Sequence, residues 1–213
     1  MQTTIILIRH GQTSWNAEKR YMGDSDIPLD RTGIEQVKKL GKKLHEIPVH
    51  RVYCSDLRRA VQSAGLLFAG KTLRIMPELR EMSFGIFEGL RYSQIMKKYP
   101  EIAKGFMENP FETVIPRGEH PRDFRRRVLR AFKKIVSRDK NKTSVIVTHG
   151  GPIRIILNDI ERPKNIWDII VPPASAHIIE ITGPSQYAIS ACLPAGAVRD
   201  MNSSEKGSLR CLK

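Results

Sequence analysis

The sequence predicts an α/β protein with three layers, α/β/α, in which helices cover both faces of a mostly parallel sheet. Short apolar, β-branched runs alternate along the chain with segments of helical periodicity, an order typical of a parallel sheet. With 213 residues, 40% hydrophobic and 27% charged, the chain is long enough to bury a sizeable core without disulfide or metal support. We therefore expect one domain over residues 1–194.

Six short runs are predicted strands because each is apolar or β-branched. The first is expected to be fully buried, and the last two are expected to pair with each other. The predicted strands are residues 3–8, 51–54, 73–76, 144–148, 176–182 and 187–193.

The helix predictions rest mainly on apolar residues that recur on one face. In 30–44 such a stripe accompanies Thr32 and Glu35, which have the spacing of a capping box. Ser55 or Asp56 is expected to cap the next helix, and Pro152 to lie in the first turn of the last one. The predicted helices are residues 30–44, 55–68, 93–99, 122–136 and 152–160.

Two segments depart from this alternation. Residues 77–120 are rich in glycine and proline, and we expect a small insertion that covers the active site rather than a second domain. Residues 195–213 become small and polar, which predicts a flexible C-terminal tail.

Cysteine usage and hydropathy favour a cytoplasmic protein. The three cysteines, Cys54, Cys192 and Cys211, are widely separated and form no CxxC pair, which argues against a disulfide framework and a thiolate zinc site. The apolar run at 5–8 is too short to cross a membrane. We expect no membrane association.

The charge balance favours anionic partners, because 36 basic residues face 22 acidic ones and give a formal net charge of +14. Residues 117–142 alone hold eleven basic and three acidic side chains. A solvated helix face, an electrostatic funnel for phosphorylated substrate and a nucleic-acid surface are the alternatives. The two phenylalanines of this segment fall on its apolar stripe, so nothing supports base stacking, and nucleic acid is not the expected partner.

Two predicted strands end in a histidine followed by glycine. Arg9, His10 and Gly11 close the first strand, and His149 and Gly150 close a later one. Carboxyl ends of parallel strands are where α/β proteins bind ligands. A third such end carries Arg58 and Arg59, and guanidinium groups suit phosphate oxygens. A neutral histidine there could attack phosphorus, and a carboxylic acid would protonate the leaving alcohol.

Five stretches, in order over residues 4–182, resemble motifs of the histidine phosphatase superfamily, the phosphoglycerate mutase-like fold. Together they are far more specific than any one of them. They are RHGQTSWN at 9–16, GDSDIPL with Gly33 at 23–33, SDLRRA at 55–60, LREMSFGIFEG at 79–89 and VTHGG at 147–151.

The resemblance assigns roles to individual residues. It implies that His10 is the nucleophile that becomes a phosphohistidine, and that Arg9, Arg59 and His149 clamp the phosphoryl oxygens. Glu81 would protonate the leaving oxygen and later activate water. Asn16 would add a donor at the rim, and Gly11 and Gly150 would allow close backbone approach. No cofactor and no metal are expected.

Other polar residues compete for these roles. Glu78 and Glu88 are alternatives to Glu81, and for Glu88 a structural role in a glycine-rich turn is favoured. Glu119 either orients the following helix or contacts the pocket, and the His120 beside it departs from the small hydroxyl residue usual in the family. Surface or structural roles are expected for Arg58, His45, His50 and His177.

These observations predict a metal-independent phosphomonoesterase that acts on a small phosphorylated metabolite. Residues 20–29 resemble those of α-ribazole phosphatases and broad-specificity phosphatases, which makes α-ribazole phosphate a candidate substrate. A cofactor-dependent phosphoglycerate mutase is the nearest alternative, although the interval from Glu81 to His149 is short for one. A non-catalytic phosphate- or nucleic-acid-binding module is the other. Both a monomer and a homodimer are consistent with the sequence.

Overall fold

A computed structural model describes residues 2–163, 165–183 and 186–195. This part of the chain contains six strands and seven α-helices, joined by loops and short 3₁₀ turns. The elements are β1 (Thr3–Arg9), α1 (Ser14–Ala17), α2 (Arg31–Leu44), β2 (Arg51–Cys54), α3 (Arg58–Leu67), β3 (Leu73–Ile75), α4 (Tyr92–Lys98), α5 (Pro100–Glu108), α6 (Pro121–Arg138), β4 (Thr143–Thr148), α7 (Gly150–Glu161), β5 (Ala176–Gly183) and β6 (Gln186–Leu193). The predicted tail falls, apart from Ala195, outside the described residues.

The strands form one mixed sheet in the order β3-β2-β4-β1-β5-β6. The first four strands of this order run parallel, whereas β5 and β6 add an antiparallel edge. This confirms the predicted mostly parallel α/β fold.

Alternating side chains of the central strands belong to two separate hydrophobic cores, one on each face of the sheet. Ile5 and Leu7 of β1 pack with apolar residues of α6, α7 and the segment 77–120. Ile6 and Ile8 face the opposite side, where α2 and α3 cover them. The period of two along a strand therefore produces a helical layer on each face.

Two predicted helix caps are wrong. Asp30, not Thr32 with Glu35, caps α2, because its carboxylate accepts a hydrogen bond from the Gly33 N–H at 2.7 Å. Neither Ser55 nor Asp56 caps α3, whose N-cap position is Leu57 without a side-chain bond.

The last predicted helix also starts too late. Helix α7 begins at Gly150, directly after β4, rather than at Pro152. The short connection places the start of this helix at the carboxyl end of the strand.

The segment 77–120 contains two helices, α4 and α5, of which the sequence predicts only the first. Helix α5 starts at Pro100, which suits a first helical position, and buries Ala103 and Phe106. Among the described residues, no helix combines the length and hydrophobicity needed to cross a membrane.

His177 on β5 is predicted to make stability pH-dependent. It is buried, its Nε2 has no hydrogen-bond partner among the described residues, and burial lowers its pKa to about 4. Between pH 6.5 and about 4 the unfolded chain binds a proton that the folded chain does not, so stability falls as the pH falls through this window.

The check is denaturant unfolding of His177→Val at pH 7 and pH 5. The wild type should lose about 2 kcal/mol more than the variant on going to pH 5. Exposed His50 supplies the control, His50→Val. An unchanged pH dependence in His177→Val would contradict the assignment.

Candidate active site

The parallel pairing of β1 with β4 brings the two predicted histidines together. Arg9 is opposite Thr148 in the register, so His10 and His149 follow at the same edge of the sheet. Their ring centroids are 5.1 Å apart. His10 and His149, although distant in sequence, therefore lie close together at the ends of their strands.

His10 is buried and its tautomer follows from its partner. Its Nδ1 lies 2.7 Å from the carbonyl oxygen of Gly11, which can only accept, so Nδ1 carries the proton and Nε2 keeps its lone pair. Burial, followed by the positive charges of Arg59 and Arg9, holds the His10 pKa well below its usual value. The ring is therefore neutral at pH 7.

His149 has the opposite tautomer. Arg59 Nε donates to His149 Nδ1 at 3.2 Å, which leaves the proton on Nε2, where it is donated to Ser55 Oγ at 2.8 Å. Burial, followed by the charge of Arg59, lowers the His149 pKa well below its usual value. Ser55 is thus a partner of the second histidine, a role that the sequence pattern does not indicate.

Arg59 is completely buried at the start of α3. Besides Nε, its terminal nitrogens donate to the carbonyl oxygens of Ser25 and Gly23, at 2.7 and 2.6 Å. These three bonds fix the plane of the guanidinium and leave two of its five N–H groups for an anion. Arg58, its neighbour, is exposed, as expected for consecutive residues of a helix.

A third guanidinium, that of Arg154 on α7, lies beside Arg9. Burial and then the charge of Arg154 lower the pKa of Arg9 to about 10, so Arg9 stays charged at neutral pH. Arg9 donates to the Val171 carbonyl oxygen at 2.6 Å, while its buried Nε has no hydrogen-bond partner among the described residues. Gly150 leaves room for these two guanidinium groups, since a Cβ there would lie 3.2 Å from the Arg154 side chain and 3.6 Å from the Arg9 side chain.

Sequence patterns do not single out Arg154. The available signal is its spacing: it follows Gly150 by four residues, so both lie on one face of α7.

Glu81 reaches the same site from the loop after β3. Its carboxylate accepts hydrogen bonds from the N–H groups of Met82, at 3.0 Å, and Gly151, at 2.9 Å. Gly151 is tightly fitted, because a Cβ there would lie 2.0 Å from Glu81 Oε1. The N-terminus of α7 therefore sets the position of this carboxylate.

The backbone around Glu81 is held by Arg127 and Thr148. Arg127 donates to the carbonyl oxygens of Glu78, Arg80 and Glu81 at 2.8–2.9 Å. Glu119 orients Arg127 through two hydrogen bonds of 2.6 and 2.7 Å. Glu119 thus orients α6 and the Glu81 loop. Thr148 Oγ1 donates to the Leu79 carbonyl oxygen at 2.6 Å.

The competing carboxylates lie outside this arrangement. Glu88 accepts hydrogen bonds from the N–H groups of Gly23 and Phe84 and from the Ser25 hydroxyl, which is the expected structural role. Glu78 is exposed.

Two residues predicted for the site make contacts that support the fold. Asn16 Oδ1 accepts from the Thr13 N–H and hydroxyl, at 3.2 Å each, and so completes the capping box in which Thr13 is the N-cap of α1. The side-chain amide nitrogen of Asn16 bonds to no described residue. Gly11 approaches Gly33 of α2, since a Cβ on it would lie 2.5 Å from the Gly33 carbonyl oxygen. Its close backbone contact is therefore with a helix.

The remaining histidines have ordinary positions. His45 and His50 are exposed. His120 caps α6 by accepting from the Arg122 N–H at 3.2 Å, which accounts for a histidine at this position.

The described residues contain no group of three or more histidine, cysteine or acidic side chains that could hold a metal ion. Within the basic segment 117–142, Arg122, Arg125, Arg126 and Arg127 form ion pairs with neighbouring acids. Part of the positive charge of this segment is therefore neutralised locally.

Comparison with known proteins identifies the family. Residues 5–190 match the histidine phosphatase superfamily (branch 1). The chain is 33% identical over 186 residues to a metal-independent phosphoserine phosphatase of Arabidopsis thaliana, covering 84% of this chain and 76% of the relative. It is 32% identical over 154 residues to the adenosylcobalamin/alpha-ribazole phosphatase of Escherichia coli, with 71% and 75% covered.

Solved structures of similar proteins have the same fold. A putative alpha-ribazole-5'-P phosphatase from Escherichia coli superposes with a TM-score of 0.80 at 28% identity, over 90% of this chain and 96% of the other. Bacillus stearothermophilus YhfR gives 0.80 at 30% identity, over 88% and 95%. The class defined by fold and sequence is a phosphoric monoester hydrolase, as predicted. The chain belongs to the histidine phosphatase superfamily.

Proposed function

We propose that the protein is a cytoplasmic, metal-independent phosphomonoesterase that hydrolyses a small phosphorylated metabolite through a phosphohistidine at His10. The observation that carries this proposal is the placement of His10: its Nδ1 faces the Gly11 carbonyl oxygen, and its Nε2 has no hydrogen-bond partner among the described residues, beside the guanidinium groups of Arg9 and Arg59. A neutral imidazole among fixed cations suits attack on a phosphate ester.

In the proposed first step, His10 Nε2 attacks phosphorus and the bond to the ester oxygen breaks. Arg9, Arg59 and Arg154 hold the charge on the three remaining oxygens. Glu81, acting as the general acid, gives a proton to the departing alcohol.

In the second step, water attacks phosphorus and the phosphorus–nitrogen bond breaks. Glu81, now ionised, accepts the proton of the water, which restores the neutral His10 and releases inorganic phosphate. Both ring nitrogens of His149 are already hydrogen-bonded, and in this arrangement the ring would hold the Arg59 guanidinium in place. To contact the phosphoryl group, His149 Nε2 would first have to give up its hydrogen bond to Ser55.

The proposed substrate is α-ribazole phosphate. Support comes from residues 20–29 and from the similarity to proteins named alpha-ribazole phosphatase. Phosphoglycerate mutase activity is the second candidate, since relatives include a probable phosphoglycerate mutase of Erwinia tasmaniensis, 27% identical over 158 residues.

The test is product analysis with purified protein. Inorganic phosphate is expected from α-ribazole phosphate, together with an acid-labile, alkali-stable phosphoprotein after rapid quenching, and both should persist in a chelator. Isomerisation of 3-phosphoglycerate with 2,3-bisphosphoglycerate and no phosphate release would instead establish a mutase. Nucleic-acid binding without turnover of any phosphate ester would favour a binding module.

A further inference from the structure

An aromatic pocket of about 100 Å³ opens beside Glu81. We use this name for the space whose wall is formed mainly by five aromatic side chains together with proline, isoleucine and methionine. The aromatic residues are Phe84, Phe106, Phe111, Phe124 and Trp167.

The polar groups of the aromatic pocket belong to the phosphate side. Among its described lining residues only Glu81 and Arg154 have ionisable side chains. Glu81 is bonded to Gly151, and Arg154 lies beside Arg9 while its Nε donates to the Ile169 carbonyl oxygen at 3.0 Å. A ligand reaching past these two groups therefore meets an apolar wall.

The aromatic wall offers few free hydrogen-bonding groups. The indole N–H of Trp167 is already donated to the Met107 carbonyl oxygen at 3.0 Å. An ammonium or hydroxyl group placed there would lose its water without gaining a partner, which is costly. A flat apolar group forms no hydrogen bonds with water, so its transfer to this wall does not carry that cost.

The wall is also preformed. Phe106 packs edge-on against Phe84, with centroids 6.0 Å apart, and against Trp167, at 5.7 Å. The Arg154 guanidinium lies 5.8 Å from the Trp167 ring centroid. Preformed apolar pockets with a few convergent polar groups are typical of small-molecule sites.

We infer that the aromatic pocket binds the alcohol half of the substrate and selects phosphomonoesters whose alcohol carries a flat aromatic or apolar group. This inference rests on the phosphatase function proposed above. It places the leaving oxygen at Glu81 and the phosphoryl group at the arginines, with the apolar group on the far side. Compact polar alcohols, such as those bearing an ammonium group, are expected to be poor substrates.

The test compares two primary alkyl esters, 2-phenylethyl phosphate and propyl phosphate. Their leaving alcohols have similar basicity, so the chemical step is matched and the ratio of kcat/KM values reports the apolar contact. We expect a ratio of about 10–100 in favour of the phenyl ester. Phe111→Ala and Trp167→Ala, both at partly exposed positions, should bring the ratio towards one.

The matched control is Tyr92→Ala, because Tyr92 is an exposed aromatic residue of the same segment that does not line the pocket. It should leave the ratio unchanged. Hydrolysis of both esters at equal kcat/KM would overturn the inference and leave the proposed function standing.

A binding measurement separates the two proposals if neither ester is hydrolysed. Calorimetry with 2-phenylethylphosphonate and propylphosphonate, which contain no ester bond, reports the pocket alone. Tighter binding of the phenyl compound, lost in Trp167→Ala, would support the pocket although turnover had failed. Equal affinities would overturn it.

Discussion

Replacing His10 by alanine is expected to lower phosphatase turnover by at least about 10⁴-fold, because the variant lacks the atom proposed to attack phosphorus. None of the neighbouring groups can substitute. Arg9 and Arg59 are cationic, and the other nearby ring, His149, has one nitrogen bonded to Arg59 and the other to Ser55. Steady-state assays and rapid-quench labelling should show both turnover and the phosphoprotein disappearing.

The control for this prediction is His45→Ala, which removes an exposed imidazole. It should retain wild-type turnover. Because His10 is buried, the unfolding free energy of His10→Ala must be measured alongside, so that loss of activity is not loss of fold. A phosphoprotein formed by folded His10→Ala would exclude His10 as the nucleophile.

Gly151→Ala is expected to reduce hydrolysis of alkyl phosphates by about 10²–10³-fold. The added methyl group would lie 2.0 Å from Glu81 Oε1 and 3.0 Å from the Phe124 ring, so the carboxylate must move. Displacing a proton donor affects poor leaving groups most. Activity on 4-nitrophenyl phosphate, whose leaving group needs little protonation, should fall much less.

Gly65→Ala is the matched control, since no described residue has an atom within 4 Å of a Cβ at this helical position. It should leave both activities unchanged and stabilise the protein slightly. Equal losses of Gly151→Ala on both substrates would assign the proton to another group.

The sequence predicts the layout of the site because it depends on a regular feature, the common edge at which parallel strands end. That rule alone places His10, His149 and the start of α3 together. It does not place Glu81, which lies in an irregular loop, and only the resemblance to a family indicates its role.

What the sequence does not predict depends on contacts between distant segments. The partnership of Arg127 with Glu119 and the 78–81 backbone needs α6 to be docked against that loop. In the sequence, nothing distinguishes Arg154 from the many other basic residues; its position beside Arg9 depends on the packing of α7. Asp30, rather than Thr32, caps α2, and its carboxylate also accepts a hydrogen bond from the Gln12 side chain, which is a tertiary contact.

The hydrogen bonds that hold Glu81 and its loop have a consequence for how the substrate range of this enzyme can evolve. Glu81, the proposed proton donor, and the loop before it are held by hydrogen bonds from α6, from the end of β4 and from the first turn of α7. None of these bonds comes from the pocket walls contributed by α5 and the residues just after it. Those walls can therefore be remodelled, residue by residue, while the reacting groups keep their alignment. New alcohols become accessible without rebuilding the machinery that cleaves the ester.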